Sequence, residues 1–142
     1  MLFPKKVKHR KWHSDRKGTE KLVKPETRGV RLAFGSFGLK AQSQARVFSN
    51  QLEAARRAMA RELGKTAKAW TRIFPDRPIT EKAAEVPMGS GKGTVDRYTA
   101  MVKPGTIMFE MDGVDEKTAR AALKMAGYKL PIKTRVVSSK DL

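Results

Sequence analysis

From residue 29 onward the chain alternates between two hydrophobic periods. Val30, Leu32 and Phe34 alternate with Arg31 and Ala33, the period-two pattern of a half-buried strand. The run enters Phe34-Gly35-Ser36-Phe37-Gly38, whose glycines predict a bend or a bulge. Over 50–64 the period lengthens to that of a helix. Leu52, Ala55, Met59 and Leu63 fall within an arc of roughly 80°, and Arg56, Arg57, Arg61 and Lys65 cover the opposite side. Ser49 is the predicted N-cap and Gly64 the stop. A strand is predicted near 67–74, with Trp70 and Phe74 on one side, and Pro75-Asp76-Arg77-Pro78 breaks it. Residues 75–94, rich in Pro and Gly, read as one long loop. Strands follow near 95–103 and 106–112, joined by a Lys103-Pro104-Gly105-Thr106 turn, with Ile107, Phe109 and Met111 sharing a face. Asp115 caps a second helix over 115–128, with Ala119, Ala122, Leu123 and Ala126 inward and Lys117, Arg120 and Lys124 outward. After Pro131 a short strand closes the chain at 132–137. This order predicts an α+β fold: two helices packed on a mainly antiparallel sheet.

Residues 1–28 show neither period. Phe3, Val7, Trp12, Leu22 and Val23 fit no single face, so the segment has little apolar surface with which to offset its ordering entropy. It reads as a basic arm, 1–28, attached to one globular domain, 29–142. Its charge is its distinguishing feature. Ten basic residues, among them Lys5, Lys6, Lys8, Arg10, Lys11 and Arg16, face three acids, which concentrates +7 in 28 residues of a chain whose net charge is +17. A compact fold with that charge repels itself unless a polyanion neutralises it. A plain solvated tail is the simpler reading. Trp12 and the histidines His9 and His13 favour an arm that orders on RNA, because flat rings stack on unpaired bases.

The remaining composition mostly excludes. A length of 142 residues suits one domain, and 39% hydrophobic content still permits a core. The absence of cysteine removes disulfides, thiolate catalysis and Cys-ligated metal sites. No run approaches 18 apolar residues, and the basic start has no apolar segment of the secretory kind. The tempting motif is Met88-Gly89-Ser90-Gly91-Lys92-Gly93-Thr94. A phosphate-binding P-loop would need glycine where Val86 stands and a magnesium-ligating hydroxyl where Gly93 stands, with a helix after it. The dinucleotide fingerprint fails at Thr94. An NTP-dependent enzyme is therefore the weaker alternative. A loop whose three glycines let backbone and Lys92 approach phosphate is the stronger one, against the bland reading of a flexible hairpin tip. The helix over 50–64 lacks the Trp or Phe of an interfacial helix, which argues against a membrane-surface protein.

Seven stretches, in order, then resemble one family. They are LFPKKVKHRKWH at 2–13, LAFGSFGLKA at 32–41, NQLEAARRAMAR at 50–61, FPDRPITEK at 74–82, MGSGKG at 88–93, VKPGTIMFEMDGV at 102–114 and KLPIKT at 129–134. The chain resembles the bacterial large-subunit ribosomal protein sixteen family, the universal counterpart of the eukaryotic large-subunit protein ten. The resemblance implies an α/β-hammerhead-like sandwich and a structural protein of the large subunit with no catalysis and no cofactor. It implies binding to large-subunit rRNA, contact with tRNA near the A site and peptidyl transferase centre, and neighbouring ribosomal proteins as partners. It further implies one copy rather than a homo-oligomer, no membrane, and a cytoplasmic ribosome, with an organellar one left open. Carried over residue by residue, it assigns RNA contact to Lys5, Lys6, Lys8, Arg10, Lys11, Trp12, Arg16, Arg56, Arg57 and Arg61. The tRNA-proximal loop becomes Met88, Gly89, Ser90, Gly91, Lys92 and Gly93. Two departures stand out: Pro87 occupies a position where the family commonly has Arg, and 18–28 is a few residues longer than the usual spacing.

Overall fold

A computed structural model describes residues 1–13 and 24–140. Among these described residues, seven strands and two helices follow in the order β1 (Phe37–Ala41), β2 (Ala45–Phe48), α1 (Ser49–Leu63), β3 (Lys68–Thr71), β4 (Arg77–Glu81), β5 (Thr94–Val102), β6 (Ile107–Asp112), α2 (Glu116–Gly127) and β7 (Thr134–Ser138). The strands form two antiparallel sheets, β3-β6-β1-β7 and β2-β5-β4, so the fold is α+β as expected, with two sheets where one was expected. The Lys103–Thr106 turn explains the difference. It does not close a hairpin. It carries the chain from the centre of the three-stranded sheet into the four-stranded one, with Gly105 at φ 97° and the Thr106 N–H on the Lys103 carbonyl at 3.3 Å.

The helices form where the periodicity put them. In α1 the buried positions are Ser49, Leu52, Ala55, Met59 and Leu63; in α2 they are Ala119, Ala122, Leu123 and Ala126. These stripes pack on each other, with α2 also against β1, β6 and β7 and α1 against β2 and β5. Each buried Leu or Met is worth roughly 1.5–3 kcal/mol against solvent. The cap of α1 differs from the prediction. Ser49 is the first helical residue and Phe48 the cap, and the Gln51 side chain reaches back to accept the Phe48 N–H at 3.0 Å. Gly64, at φ 68°, ends the helix as expected. Asp115 caps α2 by accepting the Thr118 N–H at 3.2 Å.

Three further points differ from the sequence reading. The alternating run at 30–34 is no strand; the strand begins at Phe37. Its backbone turns instead onto Glu110 of β6, whose carboxylate accepts the N–H of Ala33 (3.1 Å), Phe34 (2.7 Å) and Gly35 (2.9 Å) and the Arg72 guanidinium (2.7 Å). Only glycine fits at position 35, where a Cβ would collide with the Met111 carbonyl. Covered on this side too, Ile107, Met108, Phe109, Glu110 and Met111 are all buried, although the pattern had marked one face. Second, the stretch 75–94 is not one loop, since β4 occupies its first part. Pro78 pairs with Tyr98 on β5, and β4 lies at the sheet edge, where a missing N–H leaves no ladder bond unmade. Third, the sequence missed the short strand β2, which pairs with β5 from Ala45↔Val102 to Phe48↔Thr99.

Candidate nucleic-acid interface

The three regions chosen from sequence for phosphate contact sit on different elements, and the structure joins two of them. Residues 1–13 touch the three-stranded sheet at two points. Phe3 packs edge-to-face on Tyr98 of β5, with ring centroids 6.2 Å apart, and Trp12 lies under the Arg77 guanidinium of β4 at 5.7 Å. The glycine-rich loop, which runs from β4 to β5, meets the arm at the same place. The Lys92 ammonium donates to the Trp12 carbonyl, and the Lys11 ammonium donates to the Lys92 carbonyl at 3.1 Å. Lys11, Trp12 and Lys92 therefore form one cluster, though Lys92 lies 80 residues beyond Trp12 in the chain. Arg77, which the sequence reading treated only as part of a strand break, completes it and is 7% exposed. Arg46 of β2 was also missed. Its partner Met101 and Arg77's partner Thr99 stand two apart on β5, so the register puts both arginines on one face.

The loop itself is open. Gly89 and Gly91 have φ of 100° and 90°, Ser90 has φ 56°, and no atom lies within 4 Å of a Cβ placed at either glycine. The Lys82 ammonium donates to the Gly89 carbonyl, which ties the tip back to its root. Met88 is 87% exposed, the most exposed large apolar side chain of the described residues. Gly93 differs from its neighbours: a Cβ there would stand 2.9 Å from the Glu81 carbonyl, so this glycine lets the loop close onto β4.

Helix α1 carries the third region. Arg56 and Arg57 both bind Glu53, at 2.6 and 3.0 Å, and the hydrogen bond from Arg56, ahead of that from Arg57, pulls the Glu53 carboxyl down to about 2 against the opposing effect of burial. Arg61 is exposed one turn further on. Lys5, Lys6, Lys8, Arg10 and Lys11 are exposed along the arm, and Arg16 lies outside the described residues. Elsewhere Arg97 is held by Asp96 and Glu81, at 2.5 and 2.6 Å, and stands over the Phe48 ring at 5.1 Å.

The geometry speaks against a nucleotide enzyme. Residues 88–94 run straight into β5, so no helix N-terminus follows the glycines to bind a phosphate. No group of three metal-ligating side chains occurs among the described residues, and no helix there is long and apolar enough to cross a membrane.

Fold and surface together define a class: a small, strongly basic α+β domain that presents cations on an arm, a glycine loop and one helix. The chain belongs to the family described as ribosomal protein L16p/L10e, whose profile matches residues 4–137. It is 51% identical over 138 residues to the large ribosomal subunit protein uL16 of Rhodopseudomonas palustris strain HaA2, and equally to that of strain BisB5, with 97% of each chain covered. The family is one of structural ribosomal proteins rather than enzymes.

Proposed function

We propose that this protein is a structural constituent of the large ribosomal subunit that binds large-subunit rRNA and reaches tRNA near the A site and peptidyl transferase centre. The observation that carries this reading is family membership across 97% of the chain in a protein whose net charge is +17. The residues divide the work by element. Lys5, Lys6, Lys8, Arg10, Lys11 and Arg16 of the arm 1–28, with Arg56, Arg57 and Arg61 of α1, neutralise rRNA phosphates. Met88 to Gly93 form the loop that approaches tRNA, where Gly89 and Gly91 leave the backbone bare and Lys92 supplies the cation. The domain 29–142 holds these parts in register by burying its two helices against the sheets. Its work is electrostatic placement of RNA, by a single copy beside neighbouring ribosomal proteins and away from membranes. Pro87 supplies no cation where the family commonly has arginine, which leaves Lys92 as the charged side chain nearest the loop tip in sequence.

The test is sedimentation of a cell lysate through a sucrose gradient. The protein is expected in the large-subunit and 70S fractions and to leave them in high salt. A protein found only at the top of the gradient refutes the reading.

A further inference from the structure

Where arm, loop and β4 meet lies a pocket of about 200 Å³, open to solvent, with Trp12, Arg46, Arg77, Thr80 and Lys92 among the residues that line it. Three of these residues are cationic and none is acidic. The volume lies below the ~300 Å³ at which small-molecule sites begin, and the pocket opens to solvent, so it suits one nucleotide whose base and phosphate touch the walls while the rest stays in solvent. One part of the chemistry is already assembled. The Arg77 guanidinium lies over the Trp12 ring at 5.7 Å and Lys92 holds the Trp12 carbonyl, while 39% of the residue stays exposed. Lys92 has three N–H donors and uses one on that carbonyl, which leaves two to offer an anion.

We propose that this cavity binds one unpaired nucleotide of an RNA strand, its base against Trp12 and its phosphate between Arg46 and Lys92. The proposal rests on the RNA-binding reading and narrows it to single-stranded RNA. A base inside a duplex keeps both faces covered and cannot reach a side-chain ring, whereas a splayed base can. The same cluster makes the arm and the loop respond together. A nucleotide here touches Trp12 of one and Lys92 of the other, so RNA bound at the arm sets the position of the glycine loop.

The experiment uses the full chain with Trp70→Phe, which leaves Trp12 as the single tryptophan. Its fluorescence is followed during titration with a short oligouridylate, a blunt RNA duplex of equal length and inorganic phosphate, while anisotropy of end-labelled RNA reports binding independently. The expected result is a saturable change in Trp12 emission with oligouridylate and little with the duplex. Arg46→Ala is expected to weaken oligouridylate binding about tenfold. Trp12→Ala, made in the otherwise unaltered chain and read by anisotropy, is expected to weaken it roughly 5- to 150-fold, the range of one base–aromatic stack. Oligouridylate that binds by anisotropy but leaves Trp12 emission unchanged overturns this site and leaves the RNA reading standing. So does an equal response to the duplex, or phosphate alone reproducing the full response. If no RNA binds at low salt, the RNA reading itself falls.

Discussion

Replacing Glu110 tests the most consequential buried interaction of the fold. This carboxylate is fully buried, and it accepts three consecutive backbone N–H groups and the Arg72 guanidinium, itself 19% exposed. Burial pushes its carboxyl up, but the Phe34, Gly35 and Ala33 donors and Arg72 outweigh that and hold it below its ordinary value. Breaking a buried ion pair from one side costs roughly 3–5 kcal/mol. Glu110→Ala is expected in that range, or a fall in Tm of roughly 12–20 °C at about 4 °C per kcal/mol for a chain of this length. Glu110→Gln keeps the shape but turns an NH₂ toward donors, and it is expected to cost less, about 2–4 kcal/mol. The decisive variant is the pair Glu110→Met with Arg72→Met. Replacing a buried ion pair by apolar residues is often neutral. Here it is not expected to be, because the three backbone N–H groups would stay buried without an acceptor, at about 1–3 kcal/mol each. The pH dependence has a definite sign. A carboxyl held low in the folded state contributes fully above its ordinary value of 4.5 and loses that contribution as pH falls through the lower folded value. The gap in Tm between wild type and Glu110→Gln should therefore be constant from pH 8 to 6 and close in acid. Differential scanning calorimetry across pH measures all of this. A double methionine variant as stable as wild type, or a gap that widens in acid, would refute the reasoning.

Four further outcomes follow from the same geometry. Binding to large-subunit rRNA should fall by roughly 10³ to 10⁵ between 50 and 200 mM salt if about six to ten phosphates are neutralised, and a flat filter-binding plot would count against the electrostatic account. Lys92→Ala should change stability by about 0.5 kcal/mol at most, since the side chain lies on the surface, yet slow translation by reconstituted ribosomes and speed amide exchange near Trp12. Glu53→Ala releases Arg56 and Arg57 and should tighten RNA binding severalfold; because the carboxyl sits at about 2, the gain should be the same at pH 5 and pH 8 in a filter-binding titration. Gly93→Ala meets the Glu81 carbonyl at 2.9 Å and should lower stability by about 1–3 kcal/mol in a urea melt, whereas at Gly91 the φ of 90° is the obstacle rather than any neighbour.

The helices were legible in the sequence because their order is local. Leu52, Ala55, Met59 and Leu63 repeat at a period that only a helix face produces, and Gly64 and Asp115 mark ends through their own backbone or side chain. The segment 30–34 was misread because its partner is remote. Val30, Leu32 and Phe34 alternate as a strand does, but the acceptor for this backbone is Glu110, more than 70 residues away, and an acid in an apolar run gave no sign of being buried. The first part of 75–94 was misread because proline usually ends a strand, and Pro78 is tolerated only on the edge that the sheet order creates. The candidate cations were legible from charge alone. Their grouping was not, since the meeting of Lys11, Trp12 and Lys92 depends on β4 delivering Arg77 and the loop to the same place. For that reason Arg77 looked like part of a strand break, and Arg46 lay in a segment to which the pattern assigned no element.

The order of strands also decides when this chain can begin to fold as it is made. No two of β1, β2, β3 and β4 pair with each other; β2 and β4 wait for β5, and β1 and β3 wait for β6. A nascent chain that ends before Thr94 therefore has no sheet partner available for any strand, and only α1 can form by itself. At roughly 5–20 residues per second, synthesis reaches Asp112 after about 6–22 s. Until β5 is made, a strongly cationic polypeptide leaves its ribosome with every strand edge open, in a cell full of RNA. Folding then becomes a late event, completed within the last thirty residues.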